Sequence, residues 1–335
     1  MSKMTFKGSV QNIYYLKSTE PFDVCIIGSG PAGTILGTAL VKNGVRTAIL
    51  ESGGSFLKWF YDLRLRKLAA YEYSGDADYP LSNSRARVLG GTSNFWTGRC
   101  TRFHPSDFES NPYTPPGNPW PITYKDLDPY YEKAEKSLRV RGGSYTEFVP
   151  SRKAPFPIQS RTDMSGLRAF LEKAGVIADD TPTATPSKSI RFFRVQKEIL
   201  PEFIASPQGI LISGVNVTKL IPDKNRKIAG AEVVSMSGER QIARAKLFVV
   251  ACGGIETPRL LLHSKSEQFP KGIGNDHDRV GRCFNEHPAV NFYGKIRHSA
   301  WTIYPSNKIV RSHQYYEKFR NENLGSLLPV YRQSW

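Results

Sequence analysis

One segment near the start of the chain constrains its fold more than any other. Residues 23–33 read DVCIIGSGPAG, an apolar run that predicts a buried strand followed by glycines at G-x-G-x-x-G spacing. A helix-compatible stretch over residues 34–43 follows, and a second apolar run over residues 46–50 ends at Glu51. This order of strand, glycine turn, helix, strand and acid is that of a dinucleotide-binding βαβ unit.

The residues of this first glycine loop have separate expected roles. Gly28 permits the tight turn, Gly30 lets the backbone approach a pyrophosphate, and Gly33 lets helix and strand pack closely. Pro31 and Ala32 complete the loop. N–H groups at the helix start, together with the helix dipole, favour a phosphate there.

The acid at the end of the second strand indicates the kind of nucleotide. Glu51, followed by Ser52, is placed to accept hydrogen bonds from a ribose diol. Its negative charge would repel the 2′-phosphate of NADP. These residues alone leave NAD and FAD as alternatives.

Composition excludes several classes of protein. The chain has 335 residues, of which 39% are hydrophobic and 12% aromatic, and these values fit a globular protein. No apolar run reaches the length of a membrane span, and no secretory signal precedes residue 20, so a cytoplasmic protein is expected. The net charge of +16 is spread along the chain without a recognition motif, which argues against nucleic acid as a partner.

The cysteines and histidines do not form ligand sets. The four cysteines have no C-x-x-C pair and the six histidines are scattered, so neither a disulfide framework nor a metal site is predicted. Cys25 and Cys252 fall in apolar, strand-like runs and are expected to be small buried hydrophobes.

Periodicity predicts further elements. Residues 1–20 are expected to be a polar leader without regular structure. Helices are predicted over residues 55–73, 127–138, 165–174 and 257–263. Strands are predicted over residues 209–213, 215–221, 228–234 and 245–251. Residues 210–250 read as a meander that closes on a buried apolar strand.

A second glycine motif lies at residues 87–98, with the sequence RVLGGTSNFWTG. Its paired glycines let a backbone pass against a flat or charged ligand without interference from a Cβ. Small polar side chains follow them, and then Trp96. Such a loop is suited to hydrogen-bond the rim of a ring system while the indole stacks nearby; an ordinary glycine turn is the alternative.

Taken together, five blocks resemble the glucose–methanol–choline (GMC) oxidoreductases, in particular the pyranose-oxidase and glycoside-oxidase-like branch. The resemblance covers the N-terminal portion of such an enzyme, with gaps, from about residue 20 to about residue 297. The blocks are the first glycine motif with Glu51, residues 90–94 (GGTSN), 120–122 (WPI), 249–261 (VVACGGIETPRLL) and 280–288 (VGRCFNEHP).

The resemblance implies FAD as the cofactor. It also implies a non-covalent flavin, because Phe95 stands where pyranose oxidases have the histidine that tethers FAD. The residues it assigns to cofactor binding, together with those argued above, are Gly28, Gly30, Pro31, Ala32, Gly33, Glu51, Ser52, Arg87, Gly90, Gly91, Thr92, Asn94, Phe95, Trp96, Val217, Ala251, Cys252 and Gly253.

The fold class expected is α/β: a Rossmann-like FAD-binding domain with a discontinuous, incomplete α+β substrate-binding domain. The FAD-binding domain is predicted over residues 20–110 and 200–285. The partial substrate-binding region is predicted over residues 111–199 and 286–335.

The implied activity is oxidation of a CH–OH group, with a sugar or glycoside as the expected donor, by hydride transfer to flavin N5. The family places its catalytic base in a C-terminal block, so the catalytic residues of this chain are unknown. Two interpretations stay open: a truncated gene product, or one subunit of a split enzyme whose second chain supplies that block. One alternative is a non-catalytic flavin-binding subunit or an inactive truncated fragment. Another is an NAD-linked dehydrogenase, which leaves the second glycine motif unexplained.

Overall fold

The structure is a computed structural model. It describes residues 10–17, 20–54, 79, 81, 84–110, 120–143, 146–160, 165–187, 193–284, 309–317 and 328–331. The predicted helix over residues 55–73 and the last four residues of the block at 280–288 lie outside the described residues.

The secondary structure alternates short strands with helices. The strands are β1 (Val10–Gln11), β2 (Phe22–Ile27), β3 (Thr47–Glu51), β4 (Val140–Gly142), β5 (Ile158–Gln159), β6 (Asp179–Asp180), β7 (Thr183–Ala184), β8 (Gly209–Ser213), β9 (Val215–Pro222), β10 (Ile228–Ser235), β11 (Arg240–Ala243), β12 (Ala245–Val250), β13 (Ile309–Ser312) and β14 (Leu328–Tyr331). The α-helices are α1 (Pro31–Lys42), α2 (Tyr124–Ser137), α3 (Ser165–Lys173), α4 (Val195–Glu198), α5 (Leu200–Ala205) and α6 (Gly253–His263). Short 3-10 helices lie at Ile13–Lys17, Gly91–Asn94 and Pro105–Phe108.

The chain divides into two compact units. The first unit comprises Met1–Trp96 and Phe193–Pro288, and the second comprises Thr97–Phe192 and Ala289–Trp335. The domain bounds expected from the sequence remain a prediction.

A five-stranded parallel sheet organises the first unit. Its strand order is β1-β8-β3-β2-β12, and every pairing is parallel. β2 lies beside the central strand β3 and is connected to it by the crossover helix α1, which is the βαβ unit predicted from the glycine motif. The predicted α/β class is confirmed.

Both faces of this sheet are covered. Ile49 and Leu211 pack on the face that holds α1 and α5, whereas Leu50 and Ile212 pack on the opposite face with residues of β9–β11. Neighbouring residues of a strand point to opposite faces, so each of these strands reads as a continuous apolar run.

The predicted meander over residues 210–250 is wrong at both ends. β8 joins the parallel sheet between β1 and β3, and only β9–β11 form an antiparallel meander. β12 returns to the parallel sheet beside β2. It is also not a buried strand, because Leu247 is 58% exposed.

The expected leader is ordered at its end. β1 pairs with β8, and Ile13 and Leu16 of the following 3-10 helix are buried in the core. The spacing of these two apolar residues fits one turn of a 3-10 helix, in which residues three apart share a face.

The second unit contains two small three-stranded sheets, in the orders β5-β4-β7 and β14-β13-β6. α2 starts three residues before the predicted position, at Tyr124, because Thr123 and Asp126 form a capping box there. Inside this unit Arg102 is buried and binds the carboxylates of Glu135 and Asp128.

Among the described residues, no helix has both the length and the apolar character needed to cross a membrane.

Candidate functional site

The first glycine loop joins β2 to α1 and has the geometry its sequence predicts. Gly28 has a φ of +105°, a backbone conformation that favours glycine. A Cβ on Gly28 would lie 2.6 Å from the carbonyl oxygen of Ala251, and one on Gly33 would lie 2.1 Å from the carbonyl oxygen of Gly28. Both positions therefore accept only glycine without movement of the backbone.

The space beside Gly30 is open. A Cβ built on this residue meets no atom within 4 Å, and its φ of −65° suits any residue. Glycine here is thus not explained by packing within the described residues. Pro31 opens α1 and Ala32 is exposed, so the N-terminal turn of the helix faces this space.

The Glu51 carboxylate is buried and already bonded inside the loop. One of its oxygens accepts hydrogen bonds from the amide and the hydroxyl of Ser29, at 3.0 and 2.6 Å. The other accepts from the Gly53 amide at 2.8 Å and the Ser52 hydroxyl at 3.3 Å. A carboxylate offers about four acceptor sites, so a ribose hydroxyl would have to displace one of these donors, and the Ser52 hydroxyl has the longest contact.

The second glycine loop lies directly against the first. Gly90 and Gly91 have φ values of +82° and +56°. A Cβ on Gly91 would lie 3.2 Å from the Cα of Gly30, and the Gly90 amide donates to the Ser29 hydroxyl at 3.0 Å. Both glycine motifs therefore form one continuous site.

Side chains within the second loop hold its shape. The amide nitrogen of Asn94 donates to the carbonyls of Leu89 and Gly91, and its oxygen accepts from Gln196 at 2.6 Å. Asn94 is buried, so the described contacts make it a brace of the loop. The Thr92 hydroxyl accepts only a long bond, 3.4 Å, from the Ala86 amide.

The two aromatic residues of this loop have different surroundings. Phe95 is 46% exposed. The indole nitrogen of Trp96 donates to the carbonyl of Phe193 at 2.7 Å, and the two rings meet edge to face with centroids 6.3 Å apart. The Trp96 ring is thereby fixed in orientation.

Arg87 precedes the second loop and belongs to a charged cluster. Its guanidinium donates to Asn216 at 3.0 Å and to Glu256 at 2.9 Å. Arg85 and Arg259 also bind the Glu256 carboxylate, at 2.8 and 2.7 Å. Three guanidinium groups therefore share the Glu256 carboxylate.

Arg87 is adjacent to two parts of the predicted adenosine site, the loop after Glu51 and strand β9. A Cβ on Gly53, two residues after Glu51, would lie 2.2 Å from the carbonyl oxygen of Arg87. Asn216, its hydrogen-bond partner, precedes Val217 in β9. The Val217 side chain is buried in the core, so a ligand would meet the backbone at this position.

Ala251, Cys252 and Gly253 connect β12 to α6 beside Gly28. Cys252 lies at the helix N-cap, not inside a strand as predicted, and its thiol donates to the Ile27 carbonyl at 3.2 Å. Burial, and then the charges of Glu51 and Glu256, raise the pKa of the Cys252 thiol to about 12. The thiol is therefore protonated and unsuited to nucleophilic chemistry.

Three residues that hold this site together were missed in the sequence. Ser29 links the two loops, Glu256 collects the arginines, and Gln196 braces Asn94. Only Ser29 could have been found from the sequence, because it is the small polar residue between Gly28 and Gly30 of the first motif. Glu256 lies inside the block at residues 249–261, but nothing there singled it out, and Gln196 lies far from the motifs in sequence.

His104 and His313 lie in the second unit, with ring centroids 5.7 Å apart. Among the described residues, no group of three or more His, Cys, Asp or Glu side chains is arranged to hold a metal ion.

Two family models match the chain. A model described as GMC oxidoreductase matches residues 187–289, and one described as FAD binding domain matches residues 21–58. These segments contain β2, α1 and β3 on one side and β8–β12 with α6 on the other.

Curated relatives match most of the chain at low identity. They include the fructose dehydrogenase large subunit of Gluconobacter japonicus (25% identical, 83% of this chain and 61% of the relative) and 6'''-hydroxyparomomycin C oxidase of Streptomyces lividus (27%, 78% and 53%). Another is 2-methyl-1,2-propanediol dehydrogenase of Mycolicibacterium austroafricanum (26%, 81% and 56%). The chain spans between 53% and 61% of the length of these relatives.

Solved structures agree on the fold. Pyridoxine 4-oxidase from Mesorbium loti matches with a TM-score of 0.50 and 18% identity, over 72% of this chain and 52% of that one. An FAD-dependent oxidoreductase from Chaetomium thermophilum matches with a TM-score of 0.50 and 16% identity, over 72% and 47%. These neighbours show the fold alone. The two family models, with the curated relatives, confirm the predicted relationship to the GMC oxidoreductases and FAD as the cofactor.

Proposed function

We propose that the chain is the FAD-binding part of an oxidoreductase that oxidises a CH–OH group, with a sugar or glycoside as the donor. The observation that carries this proposal is the junction of the two glycine loops, where Ser29 bonds both Glu51 and the Gly90 amide beside the open space at Gly30. Relatives named for fructose and for an aminoglycoside support the substrate class.

The residues present fit a dinucleotide. The open space at Gly30 lies at the N-terminus of α1, where free N–H groups and the helix dipole favour a diphosphate. Gly253 and Gly254 at the start of α6 are likewise open, since a Cβ on either meets no atom within 4 Å. A loop built of glycines without packing constraints is what close approach of a ligand requires.

The remaining candidate residues would act on the two ends of the cofactor. Glu51 and the backbone at Val217 would hold the adenosine half, and Arg87 would contribute positive charge nearby. Thr92 has a hydroxyl with only a long internal bond, so it is the side chain of the second loop best able to turn to a ligand. FAD, when bound, supplies a hydride acceptor at N5.

We propose a non-covalent flavin. Phe95, at the position that the resemblance assigns to a tethering histidine, has no nucleophilic atom. Cys252, at the start of α6, has a pKa raised to about 12 and donates a hydrogen bond to the Ile27 carbonyl. Neither side chain is suited to form a bond to the isoalloxazine ring.

The base that removes the hydroxyl proton is proposed to come from the C-terminal block of the family, on a second chain or a further segment. The relative named as a large subunit is a precedent for a multi-chain enzyme. A second candidate function follows from the length comparison: a flavin-binding subunit or fragment that has no activity alone. We propose a cytoplasmic location for either.

Absorbance and turnover measurements distinguish the two functions. The purified chain would be assayed with hexoses and glycosides and a dye as electron acceptor, alone and with a candidate chain that carries the family's C-terminal block. Flavin bands with activity only in the mixture support both the enzyme proposal and the proposal that the C-terminal block supplies the base. Flavin bands without activity in either sample support the non-catalytic subunit, and absence of flavin from the mixture contradicts both.

A further inference from the structure

The second unit contains two arginines that no carboxylate of the described residues neutralises. Arg102 in the same unit shows the usual arrangement, with two carboxylates on its guanidinium group. Arg99 and Arg311 differ, because neither forms an ion pair within the part of the chain that the structure describes. The Nε atom of each is buried and has no hydrogen-bond partner there.

Backbone pairing brings these arginines to one place. Arg99 pairs with Thr183 in an isolated antiparallel bridge, and Thr101 follows two residues later, on the same side of an extended segment. The guanidinium of Arg311, on β13, donates to the Thr101 hydroxyl at 2.7 Å. Arg99, Thr101 and Arg311 therefore form one cluster.

A third arginine flanks the cluster. Arg141 on β4 pairs with Thr183 from the side opposite to Arg99. Residues directly opposite in antiparallel pairs present their side chains on the same face, so Arg99 and Arg141 share a face of this ladder. The Nε atom of Arg141 is also buried without a hydrogen-bond partner.

The electrostatics of the cluster are unfavourable as it stands. Burial, and next the positive charge of Arg99, lower the pKa of the Arg311 guanidinium. Asp179 stands opposite Arg311 in the β6–β13 pair, but its carboxylate accepts hydrogen bonds from Thr146 and forms no ion pair with Arg311. Two half-buried cations side by side without an ion-pair partner cost free energy that most proteins avoid by pairing. Within the described residues no carboxylate pairs with either arginine, and an anion bound between the two guanidinium groups would offset this cost.

We propose that Arg99 and Arg311, with the Thr101 hydroxyl, form a binding site for a small oxyanion. Guanidinium groups bind carboxylate, phosphate and sulfate through two parallel N–H donors, and these three groups share the required geometry. The site lies wholly within the second unit and uses no residue assigned to FAD. The anion-site proposal can therefore be tested independently of the proposed function.

Calorimetric titration of the purified chain with inorganic phosphate at constant ionic strength tests this site. Saturable binding is expected, and Arg99→Gln and Arg311→Gln are each expected to weaken it about tenfold or more, since each removes charge-assisted hydrogen bonds. Arg240→Gln is the matched control: Arg240 is 68% exposed, lies in the first unit and should leave the affinity unchanged. Absence of saturable binding, or equal weakening in the control, overturns the proposal.

Melting temperatures of the variants show whether a loss of binding comes from a loss of folding. In buffer free of oxyanions, Arg311→Gln is expected to melt at the wild-type temperature or above, because it removes a repulsion. A lower melting temperature with unchanged phosphate affinity would contradict the site. Arg311→Lys keeps the charge without the paired donors and should bind with intermediate affinity.

Competition by sulfate identifies a tetrahedral oxyanion, and competition by acetate identifies a carboxylate.

Discussion

Ser29 donates two hydrogen bonds to a single oxygen of the Glu51 carboxylate, one from its amide at 3.0 Å and one from its hydroxyl at 2.6 Å. The same hydroxyl accepts a hydrogen bond from the Gly90 amide at 3.0 Å. The Ser29 hydroxyl thus ties the acid of the nucleotide unit to the second glycine loop, whose Gly90 lies 61 residues after Ser29.

Replacing Ser29 with alanine should therefore loosen both loops. Ser29→Ala leaves the buried Gly90 amide and one Glu51 lone pair without their partner, which is expected to lower the free energy of unfolding by about 1–3 kcal/mol. Urea unfolding measures the loss. Ser52→Ala is the control, because its hydroxyl makes only a 3.3 Å contact with Glu51. Equal stability of the two variants would argue against the bridge.

Alanine substitutions at two glycines of the first loop should have different effects, one on stability and the other on FAD affinity. Gly33→Ala forces a Cβ to 2.1 Å from the Gly28 carbonyl oxygen and is expected to cost about 1–3 kcal/mol or more. Gly30→Ala enters open space at an ordinary φ, so its stability should match the wild type while FAD affinity falls at least tenfold. Unfolding curves and flavin titrations of both variants test this pair; undiminished FAD binding by Gly30→Ala would contradict the assigned pyrophosphate position.

The stability of the second unit should be sensitive to loss of Arg102, which binds two carboxylates of a buried ion network. Arg102 binds Glu135 through two nitrogens and Asp128 through a third. Arg102→Met removes the cation that Glu135 and Asp128 share. Arg152 still pairs with Glu135 and Lys153 with Asp128, so a loss of about 1–3 kcal/mol in unfolding free energy is expected. Arg240→Ala breaks an exposed pair with Glu232 and should cost about 0–1 kcal/mol. Comparable losses in the two variants would mean that the network is not the source of stability.

The capping box of α2 predicts a pH dependence. Hydrogen bonds from the backbone and the hydroxyl of Thr123 hold the pKa of Asp126 below its ordinary value of 3.8. Because the folded-state pKa is depressed, this carboxylate stabilises the fold above pH 3.8, and the contribution disappears as the pH falls through the folded-state value. Asp126→Asn should therefore be less stable than the wild type at neutral pH, and the difference should shrink in acid; a gap that is constant with pH contradicts this account.

Local patterns predicted more of this molecule than distant pairings could. β2, α1 and β3 follow from strand-length apolar runs and glycines within 29 residues of chain, from Asp23 to Glu51. The position of β8 does not, because its partners are Thr47–Glu51 and Val10–Gln11, well over a hundred residues away in sequence. An apolar run in isolation carries no information on which strand it will join.

The candidate site shows the same division. Gly28, Gly33 and Gly90 were predicted because a turn or close approach demands glycine, and their φ values or contacts agree. The linking role of Ser29 could not be read from the sequence, since it depends on the distance of the second loop from Glu51. The Asn94 side chain forms hydrogen bonds with Leu89, Gly91 and Gln196. Its residue type alone did not distinguish a brace from a ligand contact.

The measurement that tests the central claim most directly is the absorbance spectrum of the purified chain, before and after acid precipitation, with FAD added to saturation. The account predicts flavin bands in the folded protein, and FAD released into the supernatant by acid because it is not covalently held. A chain that is folded by circular dichroism and yet remains colourless after FAD is added and the excess removed would contradict it.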